Sequence, residues 1–516
     1  QQRDCCNAAS HKRNVALRGV RYASAMPRMS PMDRAFFLLE TEQRPMNVGV
    51  LVVLQGRRTA RGRPGDNLVR RMLRCPVGPP FNQRLAENVV AGWPVLMEDD
   101  SINPAEQVFR HVLPDSSDVQ ALFDRVCTLH AKRLDRCRPL WEVHVFDGLA
   151  RNRVGLYFKT HHGLIDGIGF INVILNIVTR TSSTRNPQAF WRGLPRAAHK
   201  AQPSRNEGLA TGLLHTGLAA GRTAGDLVKL MWHLGRRDLG IGRGMATPFV
   251  ATPDVLKAAP SPNRVMGHCS LPLARVRAVA KRGNAKVNDV LLAVLDIALN
   301  RYLAEHGLHA KRPLVADMPV ALHEGPGAGN RITILQVPMG RPGGTPAERL
   351  ADIVAETRLV KEEVKSIGAD ALFMYSIFEH AVASAIESLN LGDLPMLANA
   401  VISNPAGLEG KVYFNGLPVE LALPVSVVAH HQVLNITISN YDDELHVTFI
   451  ALREAVPDVQ RLADATMHAL VELQRSLTQR PATAGKKASK VGKPAATKRR
   501  QGPARSVSSV RMTRVC

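Results

Sequence analysis

None of the seven cysteines forms a Cys-x-x-Cys pair, and none alternates with histidine at zinc-finger spacing. This argues against a disulfide framework or a structural metal, and for a reducing compartment. No apolar run approaches the ~18 residues that a spanning helix needs. "VGVLVVL" is too short and "DVLLAVLDIAL" carries charges. No uninterrupted apolar stretch precedes a small-residue cleavage site near the N-terminus, so no signal peptide is read. A Gly-x-Ser-x-Gly nucleophile elbow and a His-Glu-x-x-His zinc motif are also missing, which argues against the common serine-triad and zinc-helix chemistries. The chain is therefore expected to be soluble or peripherally bound. At 516 residues it is too long for one compact core and should hold two domains.

Acidic residues are scarce where basic ones gather. The formal net charge is +23, and residues 480–516 hold eleven Lys or Arg with no Asp or Glu. This Ala-, Lys-, Pro- and Ser-rich tail has no hydrophobic period and is expected to be disordered. It could simply be solvated, meet anionic headgroups or bind phosphates loosely, although the absence of aromatics weakens the nucleic-acid option. Residues 1–28 are Arg-rich, lack periodicity and read as a disordered or non-native extension. The working start is expected near Met26, Met29 or Met32.

Further along, "NVGVLVVLQG" from Asn47 reads as a strand. Val119, Leu122, Val126 and Leu129 recur at helical steps. "LWEVHVF" alternates as a strand should, and a turn at Asp147-Gly148 leads to a second strand, "RVGLYFKT". Residues 181–206 are polar with scattered Pro and suit a linker. A helix over 208–234 carries Leu213, Leu214, Leu218, Leu227, Leu230 and Met231 flanked by Arg and Lys; it either packs on the protein or presents an amphipathic face to lipid. Beyond Ser270, strand, helix, a turn at Gly283-Asn284 and a long helix follow. Strands then fit "RPLVADMPVAL", "ITILQVPM", "VELALPVSVVA", "VLNITISNY" and "ELHVTFIAL", and helices fit 346–366, 370–389 and 457–478. The pattern is two α/β halves joined by a long linker.

Between the strand "RVGLYFKT" and the apolar helix "IGFINVILNIV" stands "HHGLIDG". If His161 and His162 end a strand, their rings point to opposite sides of the sheet and only one faces a given cleft. A neutral imidazole suits proton abstraction from a hydroxyl near neutral pH. Asp166 can hold the local backbone or pair with a distant Arg, and Gly163 and Gly167 permit close approach. A metal site is disfavoured because neighbouring strand residues diverge and no second His/Asp cluster follows.

"HHGLIDG" resembles the H-H-x-x-x-D-G signature of the bacterial wax ester synthase/acyl-CoA:diacylglycerol acyltransferases, which share the coenzyme A-dependent acyltransferase fold. Condensation domains of peptide synthetases carry the same short motif. The flanks favour the acyltransferases: "MSPMDRAFFLLETEQRPMNVGVLVVL", "RPLWEVHVFDGL", "NDVLLAVLDIAL", "GNRI" and "ISNPAGLEGKVYFNGLPVE" follow that family's order over about residues 28–475. The departures "NPAG" after Ser403 and His430-His431 in "AHHQ" bear on acceptor selectivity more than on the reaction.

The resemblance implies an α/β fold of two chloramphenicol-acetyltransferase-like sandwich domains with an active-site tunnel between them. The N-terminal acyltransferase domain would span 29–180, a linker and crossover helix 181–265, and the C-terminal domain 266–479. It implies transfer of a long-chain acyl group from acyl-CoA to diacylglycerol or a long-chain alcohol, with His162 as general base and no covalent intermediate. His161, Asp166 and Gly167 belong to the same catalytic motif, with Asp166 an orienter and His161 more readily packed than catalytic. Asn288, Asp289, Ser403 and Asn404 are candidates for holding the oxyanion or positioning substrate. Asn288 could equally cap the following helix. Pro139, Leu140 and Trp141 would be core or tunnel wall. No metal and no cofactor beyond the acyl-CoA co-substrate are expected. The partners would be diacylglycerol or fatty alcohol and an anionic membrane or lipid-droplet surface, with no specific nucleic acid. The location would be cytoplasmic, at the inner membrane face or on lipid inclusions. An amide-forming condensation enzyme, or a catalytically silent lipid- or nucleic-acid-associated protein working through the tail, are the alternatives.

Overall fold

The computed structural model describes residues 29–56, 63–86, 94–183, 185–194, 209–238, 244–249, 256–322, 332–391, 396–405 and 407–478. The expectations for 1–28, 480–516 and most of "GNRI" lie outside these residues. The first half runs α1 (Pro31–Leu39), β1 (Asn47–Gln55), α2 (Pro64–Met72), the pair β2 (Gln83–Leu85) and β3 (Leu96–Glu98), β4 (Val108–Ser117), α3 (Val119–His130), β5 (Trp141–Leu149), β6 (Arg153–His161) and α4 (Gly167–Ile177). After α5 (Leu209–Asp238) come β7 (Arg264–Pro272), α6 (Leu273–Arg282), α7 (Val287–Glu305), β8 (Val315–Ala321), β9 (Ile332–Pro338), α8 (Pro346–Lys365) and α9 (Ala369–Ser388). The chain closes with β10 (Ala400–Ser403), β11 (Tyr413–Phe414), β12 (Leu417–Val425), β13 (Leu434–Tyr441), β14 (Glu444–Leu452) and α10 (Val459–Thr478).

Two six-stranded mixed sheets form, in the orders β11-β12-β1-β6-β5-β4 and β7-β14-β13-β10-β8-β9. The α/β class is as expected, but a cut at residue 265 does not separate the sheets. Strand β12 of the second half pairs antiparallel with β1, Leu51 facing Leu423. The alternation of β1 explains its nearly all-apolar sequence. Leu51 and Val53 join a core cluster shared with β7, β14, α3 and α7, whereas Val50, Val52 and Leu54 join a second cluster with Trp141, Phe158 and α4. A strand covered on both faces has no solvent side to mark with polar residues.

Two expectations need correction. The turn placed at Asp147-Gly148 lies inside β5, where Gly148 adopts φ +97° at an irregularity of the β5–β6 register. The chain reverses instead at Ala150–Asn152, with Arg151 and Asn152 at φ 61° and 56°. The polar stretch read as linker from 181 to 206 is anchored part-way. Phe190 stacks on Phe158 at 4.9 Å and Trp191 on Trp141 at 5.4 Å, with the Trp191 indole N–H donating to Cys75 O at 3.1 Å. Cys75, Cys127 and Cys269 are free and buried.

Trp191→Ala removes one of the largest fully buried side chains. Truncation of a core aromatic costs about 3–5 kcal/mol, so its urea midpoint should fall well below that of the parent. A midpoint left unchanged would mean that residues 190–192 are not docked in solution.

Candidate active site

Strand β6 delivers the histidine pair and β1 aligns it. Along the sheet, Asn47 faces His161. The backbone N–H of His161 donates to Leu140 O at 3.0 Å, and that of His162 to Met46 O at 2.8 Å. Strand geometry ends at His161, so His162 already sits in the turn. The two rings therefore do not diverge across the sheet as alternation would require. Both pack on α1: His161 stacks on Phe37 at 4.0 Å and His162 on Phe36 at 3.9 Å.

Their environments still differ. His161 is 1% exposed, and its Nδ1 accepts the Gly163 N–H at 3.0 Å. That bond leaves the proton on Nε2, which points toward Glu40 Oε1 at 3.6 Å, too far for a hydrogen bond. Burial first, then the Arg136 guanidinium, His162 and Arg133, push the His161 imidazole well below its ordinary range. It is a sealed, neutral, packed residue. His162 is only half-buried, yet its Nδ1 is enclosed without a hydrogen-bond partner. Burial lowers its imidazole below the ordinary 6.5, and the nearby Asp166 carboxylate pulls the other way. At neutral pH it is uncharged and free to accept a proton.

Asp166 takes the local of its two expected roles. It caps α4, its Oδ1 accepting the Gly169 N–H at 2.6 Å. The glycine that the site requires is Gly163. A Cβ there would lie 2.5 Å from Phe37 Cε2 and 2.7 Å from Asp33 O, whereas one on Gly167 would meet nothing within 4 Å. The close approach expected of Gly167 is thus not present.

Leu140 and Trp141 are fully buried, and the Trp141 indole N–H is committed to Phe81 O at 2.9 Å. Leu140 O holds both the His161 N–H and the Thr160 hydroxyl, at 3.0 and 3.1 Å. Pro139, half-buried, accepts the Trp141 N–H through its carbonyl at 2.8 Å. Of the two roles expected of this triplet, core or tunnel wall, the fully buried Leu140 and Trp141 take the first, while the half-buried Pro139 positions the strand through its carbonyl. An apolar crevice lies nearby under α4, lined by Val52, Ile174, Ile177, Phe190, Phe414 and Val419 among others. His162 is not part of its wall.

The candidates from the second half divide. Asn404 Nδ2 donates to Asn288 Oδ1 at 2.8 Å, which joins the end of β10 to the start of α7. Asn288 does not cap its helix, because Lys286 occupies the N-cap and the helix begins at Val287. Asp289 is buried and its carboxylate is spent on Lys286 N and the Thr357 hydroxyl, both at 2.9 Å. Ser403 donates to Thr437 Oγ1 at 3.1 Å, within a hydroxyl chain that continues to Ser426. Asp289 and Ser403 are therefore scaffold, and the Asn288–Asn404 pair is the polar feature with a donor to spare. Among the described residues no group of three or more His, Cys, Asp or Glu is arranged to hold a metal ion.

Residues 40–46 were missed in the sequence because their partners are distant. Glu40 accepts from Arg133 and Arg136, each at 3.1 Å, and from Met46 N at 3.1 Å. Arg44, 1% exposed, reaches the other half: its Nε and Nη2 bind the Glu387 carboxylate at 2.9 and 2.8 Å, and its Nη1 donates to Gln432 O at 2.8 Å. Burial alone would raise the Glu387 carboxyl, but the bonded Arg44 holds it below its usual range. Arg264 from β7 adds a bond to Gln43 O at 3.2 Å.

Gly163→Ala should destabilise the fold by about 1–3 kcal/mol through overpacking and impair turnover, while Gly167→Ala leaves both near parental values. Thermal melts and initial rates on the two variants test this pairing. In Asp166→Asn the helix cap survives but the carboxylate charge is lost. Because that charge raises the His162 pKa, the acidic limb of kcat/KM should move to lower pH. A limb that stays put or moves up would contradict the assignment.

Residues 29–291 match the family described as the wax ester synthase/diacylglycerol acyltransferase catalytic domain, and residues 328–474 match its C-terminal domain. The chain is 32% identical over 468 residues to a Mycobacterium tuberculosis protein named "Probable diacyglycerol O-acyltransferase Tgs4", covering 87% of this chain and 97% of that one. It is 29% identical to the O-acyltransferase WSD of Acinetobacter baylyi, covering 84% and 94%. The wax ester synthase/diacylglycerol acyltransferase of Marinobacter aquaeolei superposes with a TM-score of 0.65 at 25% identity, over 87% of this chain and 99% of that one. A condensation domain of the calcium-dependent antibiotic synthetase, 17% identical with a TM-score of 0.54 over 87% and 96% of the two chains, shares the fold. The chain belongs to the wax ester synthase/diacylglycerol acyltransferase family.

Proposed function

We propose that this member of the family moves a long-chain acyl group from acyl-CoA to the hydroxyl of diacylglycerol or of a long-chain alcohol, with His162 as general base. The observation that carries the reading is the His162 ring itself. It is half-buried, depressed toward its neutral form, stacked on the Phe36 face with its backbone N–H on Met46 O, and left without a partner on Nδ1. An alcohol becomes a competent nucleophile only as its proton leaves. As the hydroxyl oxygen attacks the thioester carbonyl, the imidazole takes that proton. The tetrahedral intermediate collapses with cleavage of the carbon–sulfur bond, and the departing thiolate recovers the proton from the imidazolium.

A thioester already carries a good leaving group, so the reading invokes no enzyme-bound acyl intermediate and no cofactor beyond the acyl-CoA co-substrate. The oxyanion needs a fixed donor, worth roughly 10²–10³ in rate. Asn288 fits that part, because its Oδ1 is taken by the Asn404 amide and its own NH₂ is left to donate. The cytoplasmic face of a membrane, or a lipid inclusion, is the setting in which such an acceptor is met. No helix among the described residues is long and apolar enough to cross a membrane.

The test is turnover of labelled palmitoyl-CoA with hexadecanol and dioleoylglycerol in competition, both products being quantified. His162→Ala should abolish both products while its melting profile stays parental. A fully active variant would reject the base assignment. The product ratio in the parent identifies the preferred acceptor.

A further inference from the structure

Helix α9 is apolar on its outward as well as its inward side. Leu372, Phe373, Tyr375 and Ile386 are buried together with Ser376, Glu379 and Ser384, while Met374 and Phe378 stand 51% and 65% exposed. Leu389 and Leu391, just past its end, are 69% and 46% exposed. A helix that meets water on one face ordinarily keeps that face polar. The inward polar groups hold it in this orientation. The Ser376 hydroxyl accepts the Ile334 N–H at 2.9 Å and contacts Thr333 Oγ1 at 3.0 Å, and Glu379 Oε2 accepts from Gln336 Nε2 at 3.0 Å. Rotating the helix to hide Phe378 would break all three contacts.

The neighbouring α5 repeats the theme. Leu230 and Leu234 point inward and share a core with Leu372 and Tyr375 of α9, while Val228, Met231 and Trp232 are 70%, 49% and 67% exposed. Positions 228, 231 and 232 follow i, i+3, i+4 spacing, so they line one outward stripe. Around it Arg222, Lys229 and Arg236 are exposed. The acid within this stretch, Asp226, is half-buried and turned to the Gly368 N–H at 3.0 Å. Single exposed apolar residues are ordinary, but a set of large ones on two packed helices marks a docking face. Exposed tryptophan with a basic rim is the composition that suits the boundary between headgroups and acyl chains.

We propose that the outward faces of α5 and α9 seat the protein on an anionic lipid surface. The inference deepens the acyltransferase reading and rests on its lipid acceptor. Charge selects the occupant. A chain of formal net charge +23 repels a second copy of itself, whereas negatively charged headgroups complement Arg222, Lys229 and Arg236.

The experiment floats the full-length protein with vesicles of phosphatidylcholine, alone or mixed with phosphatidylglycerol, and compares it with the double variant Trp232→Ser/Phe378→Ser. The parent should float with the mixed vesicles and the variant should partition roughly tenfold less, because two large apolar side chains no longer leave water. Trp141 and Trp191 are fully buried, so the difference in emission between the parent and Trp232→Phe should shift to the blue when vesicles are added. Equal flotation of parent and double variant, or an unshifted difference spectrum, overturns the proposal. So does a double variant that floats normally but loses self-association in sedimentation, which would identify a second copy as the occupant. Turnover with detergent-dispersed hexadecanol separates the two readings. Retained turnover with unaltered vesicle binding sinks only the docking face. Lost vesicle binding in a protein whose parent never transfers acyl groups sinks only the catalytic assignment.

Discussion

The imidazole of His162 is held in place by its own half of the molecule, through a strap that the opposite half locks. Its backbone hangs from Met46 O and its ring lies on Phe36. Between those two residues runs a strap whose Arg44 is locked by Glu387 and Gln432. A buried guanidinium without its carboxylate is strongly unfavourable, so the pair commits the two halves to one arrangement. The geometry of the histidine pair is thereby a property of the assembled fold and not of the seven-residue motif alone.

The same dependence shows in the core. Because β12 crosses to pair with β1, and because one face of β1 packs on clusters belonging to the second half, neither half closes its own hydrophobic interior. His130 adds a polar tie, with one ring nitrogen on the Tyr157 hydroxyl at 2.7 Å and the other on Ser426 O at 3.2 Å. Ser426 continues through Thr437 to Ser403, immediately before Asn404 and its partner Asn288. Packing and hydrogen bonds thus run unbroken from the strand bearing the histidines to the second half's asparagine pair. Substrate chemistry at such a site calls for little from the protein beyond a neutral base, a fixed donor and apolar walls, since the thioester supplies the leaving group.

At the histidine pair, electrostatics follows burial. His161 and His162 sit in a strongly basic chain, yet their depressed pKa values come first from desolvation, with neighbouring charges secondary. What separates the two rings is access. His161 is sealed with its Nδ1 committed to Gly163, while His162 stands where the strand has already ended. One residue of register therefore divides the sealed imidazole from the more accessible one.

Local information in the chain was enough for much of this. Apolar runs marked β1, β6 and most later strands, alternation marked β5, and helical spacing marked α3 and the helices from α6 onward, because burial on a regular element leaves its own pattern. The motif likewise declared its imidazoles, and its Asp166 as a group able to hold the local backbone. Long-range pairing was invisible. Nothing local to Glu40 or Arg44 announces partners more than 90 and 340 residues away, and nothing in a polar stretch announces that Phe190 and Trp191 fold back onto Phe158 and Trp141. Only the tertiary structure decided that Gly163 and not Gly167 is sterically obligatory, that Trp141 is packing, and that α9 turns its carboxylate inward and its Phe378 out. Those outcomes depend on which surfaces meet, and a sequence repeat records the period of an element without its neighbours.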